Sequence, residues 1–124
     1  MQRREGVRLI VNIVDSYQFG QVVVNGKKYT SDVIIFPHRV IDSWWRKSGH
    51  QLCLDDIAEV LAENPEVLVV GTGASGLVKV LPEVKQSLED QGIKLIAQPT
   101  SEACNIYNQL CHSQRVVAAL HLTC

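Results

Sequence analysis

The sequence predicts an α/β fold: a compact three-layer single domain over residues 1–124, with a mixed, largely parallel sheet and an N-terminal β-hairpin. Three observations predict it. Val67-Leu68-Val69-Val70 is a continuous apolar run that leads into glycines, the pattern of a strand buried on both faces of a parallel sheet. From Val67 to Cys124 the chain then reads strand, glycine turn, helix, strand, helix, strand. Near the start, Asn25-Gly26 sits between two short segments that read as strands, Phe19–Val24 and Lys27–Thr30. Both residues tolerate positive φ, so the pair is a strong hairpin signal.

The elements follow in order. Val7–Val14 is a β-branched run that reads as a strand, broken by Asp15-Ser16. Phe19–Val24 and Lys27–Thr30 are the arms of the hairpin, and Val33–Phe36 is a short apolar strand closed by Pro37. His38–Gln51 is irregular, a loop or short extended element packed by Trp44 and Trp45. Leu54–Asn64 is a helix. Asp55 and Asp56 suit its positive end, Ile57, Val60 and Leu61 form its apolar stripe, and Asn64-Pro65 stops it. Pro82 is placed as the first residue of the next helix, which runs to about Gln91 before Gly92 caps it. Ile93–Ala97 is a strand. Thr100 is a candidate cap for a helix over Ser101–His112. Val116–Leu122 is apolar on both sides and so is expected inside the sheet, next to 67–70 and 93–97.

Composition excludes several function classes. Lys+Arg number 12 against Asp+Glu 13, so the basic excess that nucleic-acid binding usually leaves is missing. Arg3, Arg4 and Arg8 read as a solvated terminus. No apolar run approaches the roughly 20 residues a bilayer needs, and the opening residues read as a strand rather than a signal peptide. The expectation is a cytoplasmic protein without a membrane span. Cys53, Cys104, Cys111 and Cys124 contain no C-x-x-C pair, which argues against a zinc ribbon or thioredoxin-like chemistry. Cys104 and Cys111 fall seven apart on one helix. Their Cα atoms would be about 10 Å apart, too far for a disulfide. A bridge involving Cys53 or Cys124 is left open.

Gly71-Thr72-Gly73-Ala74-Ser75-Gly76 matches the dinucleotide fingerprint letter for letter. That chemistry needs the third glycine inside a helix start and an acid at the end of the next strand. Here Leu77–Leu81 precedes Pro82, and the next strand ends at Gln98. The turn therefore reads as structural, or as a backbone pocket for an anion. Ser75 is not in a nucleophile elbow, because Leu77 stands where glycine is required. His121 and Cys124 are three apart on a strand and face opposite sides, which argues against a thiol–imidazole pair and against a metal site. His121 reads as a hydrogen-bonded residue at the end of a strand, or as the wall of a small polar pocket. Trp44 and Trp45, with His38 and Arg39, read either as a recognition loop or as one tryptophan over the sheet beside a partly exposed one.

Several blocks, in order and at characteristic spacing, resemble the Mth-domain family. They are Tyr29-x-x-Asp32-Val33-x-Ile35-x-Pro37, Trp45-Arg46, strand 67–70 with Gly71-Thr72-Gly73, Thr100-x-x-Ala103-x-x-x-Tyr107-Asn108-x-Leu110, Arg115-Val116 and His121-Leu122-Thr123-Cys124. The resemblance covers nearly the whole chain from Phe19 onward. The terminal block is similar to the adipogenesis-associated branch, and a mitochondrial complex I assembly factor is a more distant member. The resemblance implies a three-layer α/β fold and carries over no catalytic residue and no cofactor. It implies recurring polar positions at Thr100, Tyr107, Asn108, Arg115 and His121.

Two expectations follow. The first is a non-enzymatic interaction or assembly-helper module that acts on an unknown protein partner, with Trp44, Trp45 and Arg46 as the contact, as a monomer or weak homodimer. The alternative is a small-ligand or anion-binding protein, or an enzyme, using Gly71, Gly73 and Gly76 with Thr100, Asn108, Arg115 and His121.

Overall fold

A computed structural model of the chain describes residues 11–124. Among them the chain forms β1 (Val14–Gln18), β2 (Gln21–Val24), β3 (Lys27–Tyr29), β4 (Val33–Ile35), β5 (Val40–Ile41) and β6 (Gln51–Leu52). A 3-10 turn (Leu54–Ile57) and α1 (Ala58–Glu63) follow, then β7 (Val67–Thr72), β8 (Lys79–Val80), α2 (Pro82–Asp90), β9 (Lys94–Gln98), α3 (Thr100–Leu110) and β10 (Val116–His121).

The central sheet has the order β5-β4-β10-β7-β9. β7 pairs with β10 and β9 in parallel, and β4 pairs with β10 and β5 antiparallel, so the sheet is mixed. The three strands expected to lie together do so, with β10 inside. Alternation along these strands divides the core. Val33, Ile35, Val67, Val69, Val116, Ala118 and Leu120 face one side, where the antiparallel sheet β1-β2-β3 and α3 cover them. Ile34, Leu68, Val70, Val117 and Ala119 face the other side, against Trp44, Leu52, Val60, Val84 and Leu88. Every residue of β7 and β10 is buried, which explains their unbroken apolar sequence. The result is three layers.

Local signals act as expected at the hairpin, where Asn25 and Gly26 have φ of 49° and 81°, and at α2, with Pro82 first and Gly92 at φ 74° after its end. Four expectations need correction. Asp15-Ser16 does not break the first strand. It lies inside β1 as a register irregularity between Val14 and Ser16, and the Asp15 carboxylate accepts the Gly26 N–H at 2.6 Å. The preceding run begins no strand at Val11–Ile13, and its residues 7–10 lie outside the described residues. The turn between the first two strands falls at Phe19-Gly20, where Gly20 takes φ 79°. Thr100 does not cap α3, because Pro99 takes that position and Thr100 is the first helical residue, with its hydroxyl used elsewhere.

All four thiols are free. Burial pushes the Cys104 thiol up to about 12 and also raises Cys111, whereas Cys124 is exposed. Because the thiolate is the reactive form, limiting iodoacetamide at pH 8 is expected to alkylate Cys124 first and Cys104 last. Mass mapping of the alkylated peptides reads the order, and early modification of Cys104 would contradict its burial.

Candidate functional site

One end of the central sheet gathers a buried ionic cluster. Asp32 immediately precedes β4, and β4 runs antiparallel to β10 with Val33 opposite Leu120. That register brings Asp32 to the end of β10. Its Oδ1 accepts the Leu122 N–H at 2.8 Å, and its Oδ2 lies 2.7 Å from His121 Nδ1 and 2.8 Å from Arg46 Nη1. Arg46 comes from the irregular segment before β6. The segment is held by the Trp44 N–H donating to the Asp32 carbonyl at 2.8 Å, and by Arg46 Nη2 donating to the Gly49 carbonyl at 3.1 Å. Side-chain exposure is 5% for Arg46, 10% for His121 and 16% for Asp32, so the charges are largely withdrawn from water.

Protonation follows from the contacts. Burial pushes the Asp32 carboxyl up, but hydrogen bonds from His121, the Leu122 amide and Arg46 outweigh it and hold the carboxyl below its ordinary value. An ionised carboxylate 2.7 Å from Nδ1 only accepts, so Nδ1 carries a proton and donates it to Asp32. The second contact of Nδ1, 3.0 Å from Arg46 Nη2, is then a close approach and not a further hydrogen bond. Two buried nitrogens, His121 Nε2 and Arg46 Nε, have no hydrogen-bond partner among the described residues.

The glycine turn forms the floor of the cluster. Gly71 and Thr72 belong to β7, and the segment continues through β8, so no helix begins at Gly76. The Gly73 N–H donates to Thr100 Oγ1 at 2.9 Å, and that hydroxyl donates to the His121 carbonyl at 2.6 Å. The Ala74 N–H donates to the Thr123 carbonyl at 2.8 Å, and the Gly76 N–H donates to the Gly73 carbonyl at 3.2 Å. These amides hold the end of β10 and the start of α3 together. A dinucleotide would have to compete for donors already in use. Titration of NAD, NADP, FAD, phosphate and sulfate is therefore expected to give no saturable shift in melting temperature. A micromolar shift with any of them, abolished by Gly76→Val, would contradict this.

The sequence-derived set divides three ways. Gly71, Gly73, Gly76, Thr100 and His121 come together. Asn108 lies on α3 and binds β1, its Oδ1 accepting the Val14 N–H at 2.9 Å and its Nδ2 donating to the Val14 carbonyl at 2.8 Å. Tyr107 donates to the Asn12 carbonyl at 2.8 Å. Arg115 precedes β10, at the opposite end of the strand from His121. It donates to the Asn64 carbonyl at 2.9 Å and borders a cavity of about 680 Å³ with His38, Glu66 and His112. Trp44 is buried, its indole N–H donating to the Asp56 carbonyl at 2.9 Å, while Trp45 is 83% exposed. Asp32, which organises the cluster, is absent from the candidate set, although it stands in the Tyr29-x-x-Asp32-Val33 block and directly before the apolar strand Val33–Phe36. Among the described residues no group of three or more His, Cys, Asp or Glu is arranged to hold a metal ion.

The profile of the family described as "Protein of unknown function (DUF498/DUF598)" matches residues 14–121. The chain belongs to this family. The DUF498/DUF598 match spans every described strand and helix, and the resemblance read from the sequence blocks agrees with it. Human NADH dehydrogenase [ubiquinone] 1 alpha subcomplex assembly factor 3 is 31% identical over 109 residues, covering 86% of this chain and 58% of that protein. The chain thus spans little more than half the length of that relative. A conserved hypothetical protein of Pyrococcus horikoshii superposes with a TM-score of 0.81 at 31% identity, covering 90% of this chain and 98% of that one. A Mth938-like domain of Bordetella pertussis superposes at 0.62 with 23% identity, over 98% of this chain and 91% of that one, a likeness of fold. No helix of the described residues is long and apolar enough to cross a membrane.

Proposed function

We propose that this chain is a non-enzymatic interaction module, a cytoplasmic assembly helper that binds a protein partner through the end of the sheet holding Asp32, Arg46 and His121. One observation carries the reading. Among the described residues the large apolar side chains that stand out in water are Phe19 at 61%, Trp45 at 83% and Leu77 at 47%, and all three lie on segments bonded to this end. Phe19 neighbours Gly20, whose N–H donates to the Leu122 carbonyl at 2.8 Å. Trp45 stands between Trp44 and Arg46, both fastened to Asp32. Leu77 precedes Val78, whose N–H donates to the Thr72 carbonyl at 3.0 Å.

Exposed aromatics on a rigid base suit partner binding, since large anchors supply much of the energy of an interface and rigidity lowers the ordering cost. The buried ion pair gives Trp45 such a base. The human relative named as an assembly factor is consistent with a partner-binding role. A photo-reactive phenylalanine analogue at position 45 is expected to cross-link a partner in cells, and the same group at exposed Glu102 on α3 is not. Equal cross-linking at both positions, or none at 45, would refute the reading.

A second reading, a site for a small hydrogen-bonding ligand, is favoured by the partnerless His121 Nε2 and Arg46 Nε. A screen of small polar compounds by thermal shift tests it. A hit that is lost in His121→Phe would support it.

A further inference from the structure

β9 is an outer strand of the central sheet, and among the described residues nothing pairs with its far side. The Lys94 N–H donates to the Glu66 carbonyl at 3.0 Å, and the register runs from Lys94 opposite Val67 to Gln98 opposite Gly71. In a parallel ladder alternate residues turn both N–H and C=O to the same neighbour. Lys94, Ile96 and Gln98 therefore address β7. Leu95 and Ala97 turn their backbone groups outward, where no described residue meets them.

Other strand edges are protected. β5 has only two residues. β1 gives the Val14 N–H and C=O to the Asn108 side chain. β3 carries the exposed Lys27 and Lys28. β9 instead presents half-buried Leu95 and Ile96 and exposed Ala97, with Lys94 as its one charge. An unpaired apolar edge is a template for another strand.

We propose that β9 pairs antiparallel with β9 of a second copy about a two-fold axis at Ile96, joining the two central sheets. In this register Leu95 of one copy and Ala97 of the other exchange both backbone hydrogen bonds, twice by symmetry, which satisfies every outward group. Lys94 faces Gln98 of the second copy, so like charges do not meet. A centre at Lys94 would oppose two lysines. A centre at Ala97 would set Pro99, which has no N–H, against Leu95. A centre at Leu95 would bring Ala97 to Ile93, whose N–H already donates to the Leu88 carbonyl at 2.9 Å. The pairing uses residues 94–98, none of which belongs to the partner surface proposed above, so the two stand or fall separately.

Sedimentation over a concentration series up to about 1 mM, where millimolar affinities become visible, tests the pairing. The full chain is expected to show a reversible monomer–dimer equilibrium. Ala97→Pro removes only an outward N–H and is expected to weaken dimerisation at least about tenfold, with little change in melting temperature. Ile96→Cys on a Cys53→Ser, Cys124→Ser background is expected to form a disulfide-linked dimer on mild oxidation, because opposed residues at the closely spaced site bring their Cβ atoms within bridging range. This readout decides the matter should Ala97→Pro fail to fold. A chain that stays monomeric throughout overturns the pairing. So does a dimer that Ala97→Pro leaves intact, or the absence of a 96–96 bridge in a dimer that forms.

Discussion

Asp32→Ala is expected to destabilise the fold by roughly 3–5 kcal/mol, the range for removing one partner of a buried ion pair. Three donors lose their acceptor together: Arg46 Nη1, His121 Nδ1 and the Leu122 N–H. Arg46 is left charged with 5% of its side chain exposed. Asp32→Asn preserves shape and one acceptor and is expected to cost less. Urea denaturation of the two variants and the wild type measures both. The cluster also has a pH signature. Asp32 is held below its ordinary value of 3.8, so its contribution is complete above that value and is lost as pH falls through the lowered one. The wild type should therefore show an acid limb of instability that Asp32→Asn lacks. A loss below about 1 kcal/mol for Asp32→Ala, the level of an exposed pair, would mean that the cluster does not hold this end of the sheet.

Gly73→Ala is expected to cost about 3 kcal/mol or more. Gly73 has φ +105°, and a Cβ there would sit 2.8 Å from the Thr123 carbonyl oxygen and 2.9 Å from His121 Cδ2. The backbone oxygen cannot move aside without loosening the end of β10. Gly26 supplies the control: its φ is +81°, but a Cβ there would meet nothing within 4 Å. Gly26→Ala should cost about 1–2 kcal/mol, the conformational component alone. The difference between the two variants measures how tightly the glycine turn packs under His121. Equal losses would show that Gly73 is needed for its backbone angle and not for close approach. Together with Gly71, whose Cβ would fall 2.9 Å from both Thr100 Oγ1 and Leu120 Cδ2, this explains a dinucleotide-like spelling without dinucleotide chemistry.

The parts of the fold legible in the sequence are those fixed by local chemistry. Val67–Val70 and Val116–Leu122 declare themselves buried strands because they are apolar on both faces. Asn25-Gly26, Pro82 and Gly92 mark backbone conformations that few other residues accept. The site was legible only in part, because long-range pairing assembles it. Asp32 and His121 are 89 residues apart and meet through the β4–β10 register, which no local pattern encodes. Arg46 arrives from a segment with no periodicity, and beside Trp44 and Trp45 its sequence position suggests a partner contact rather than a buried ion pair. Arg115 looked like a companion of His121, yet the six residues of β10 set them at opposite ends, about 20 Å apart at some 3.3 Å per residue. Thr100 looked like a helix cap because threonine before a helix often is one, but tertiary packing claimed its hydroxyl for Gly73 and His121.

Partner binding by this end of the sheet is measured by quantitative affinity capture from the native host. Wild type, Trp45→Ser and the distant control Lys28→Glu would be compared. Trp45→Ser is expected to keep the wild-type melting temperature, because the Trp45 side chain is already in water. Partner recovery is expected to fall roughly 30-fold, the equivalent of an anchor of about 2 kcal/mol, while Lys28→Glu recovers the same proteins as wild type. Equal recovery by wild type and Trp45→Ser would show that this end of the sheet is not the contact.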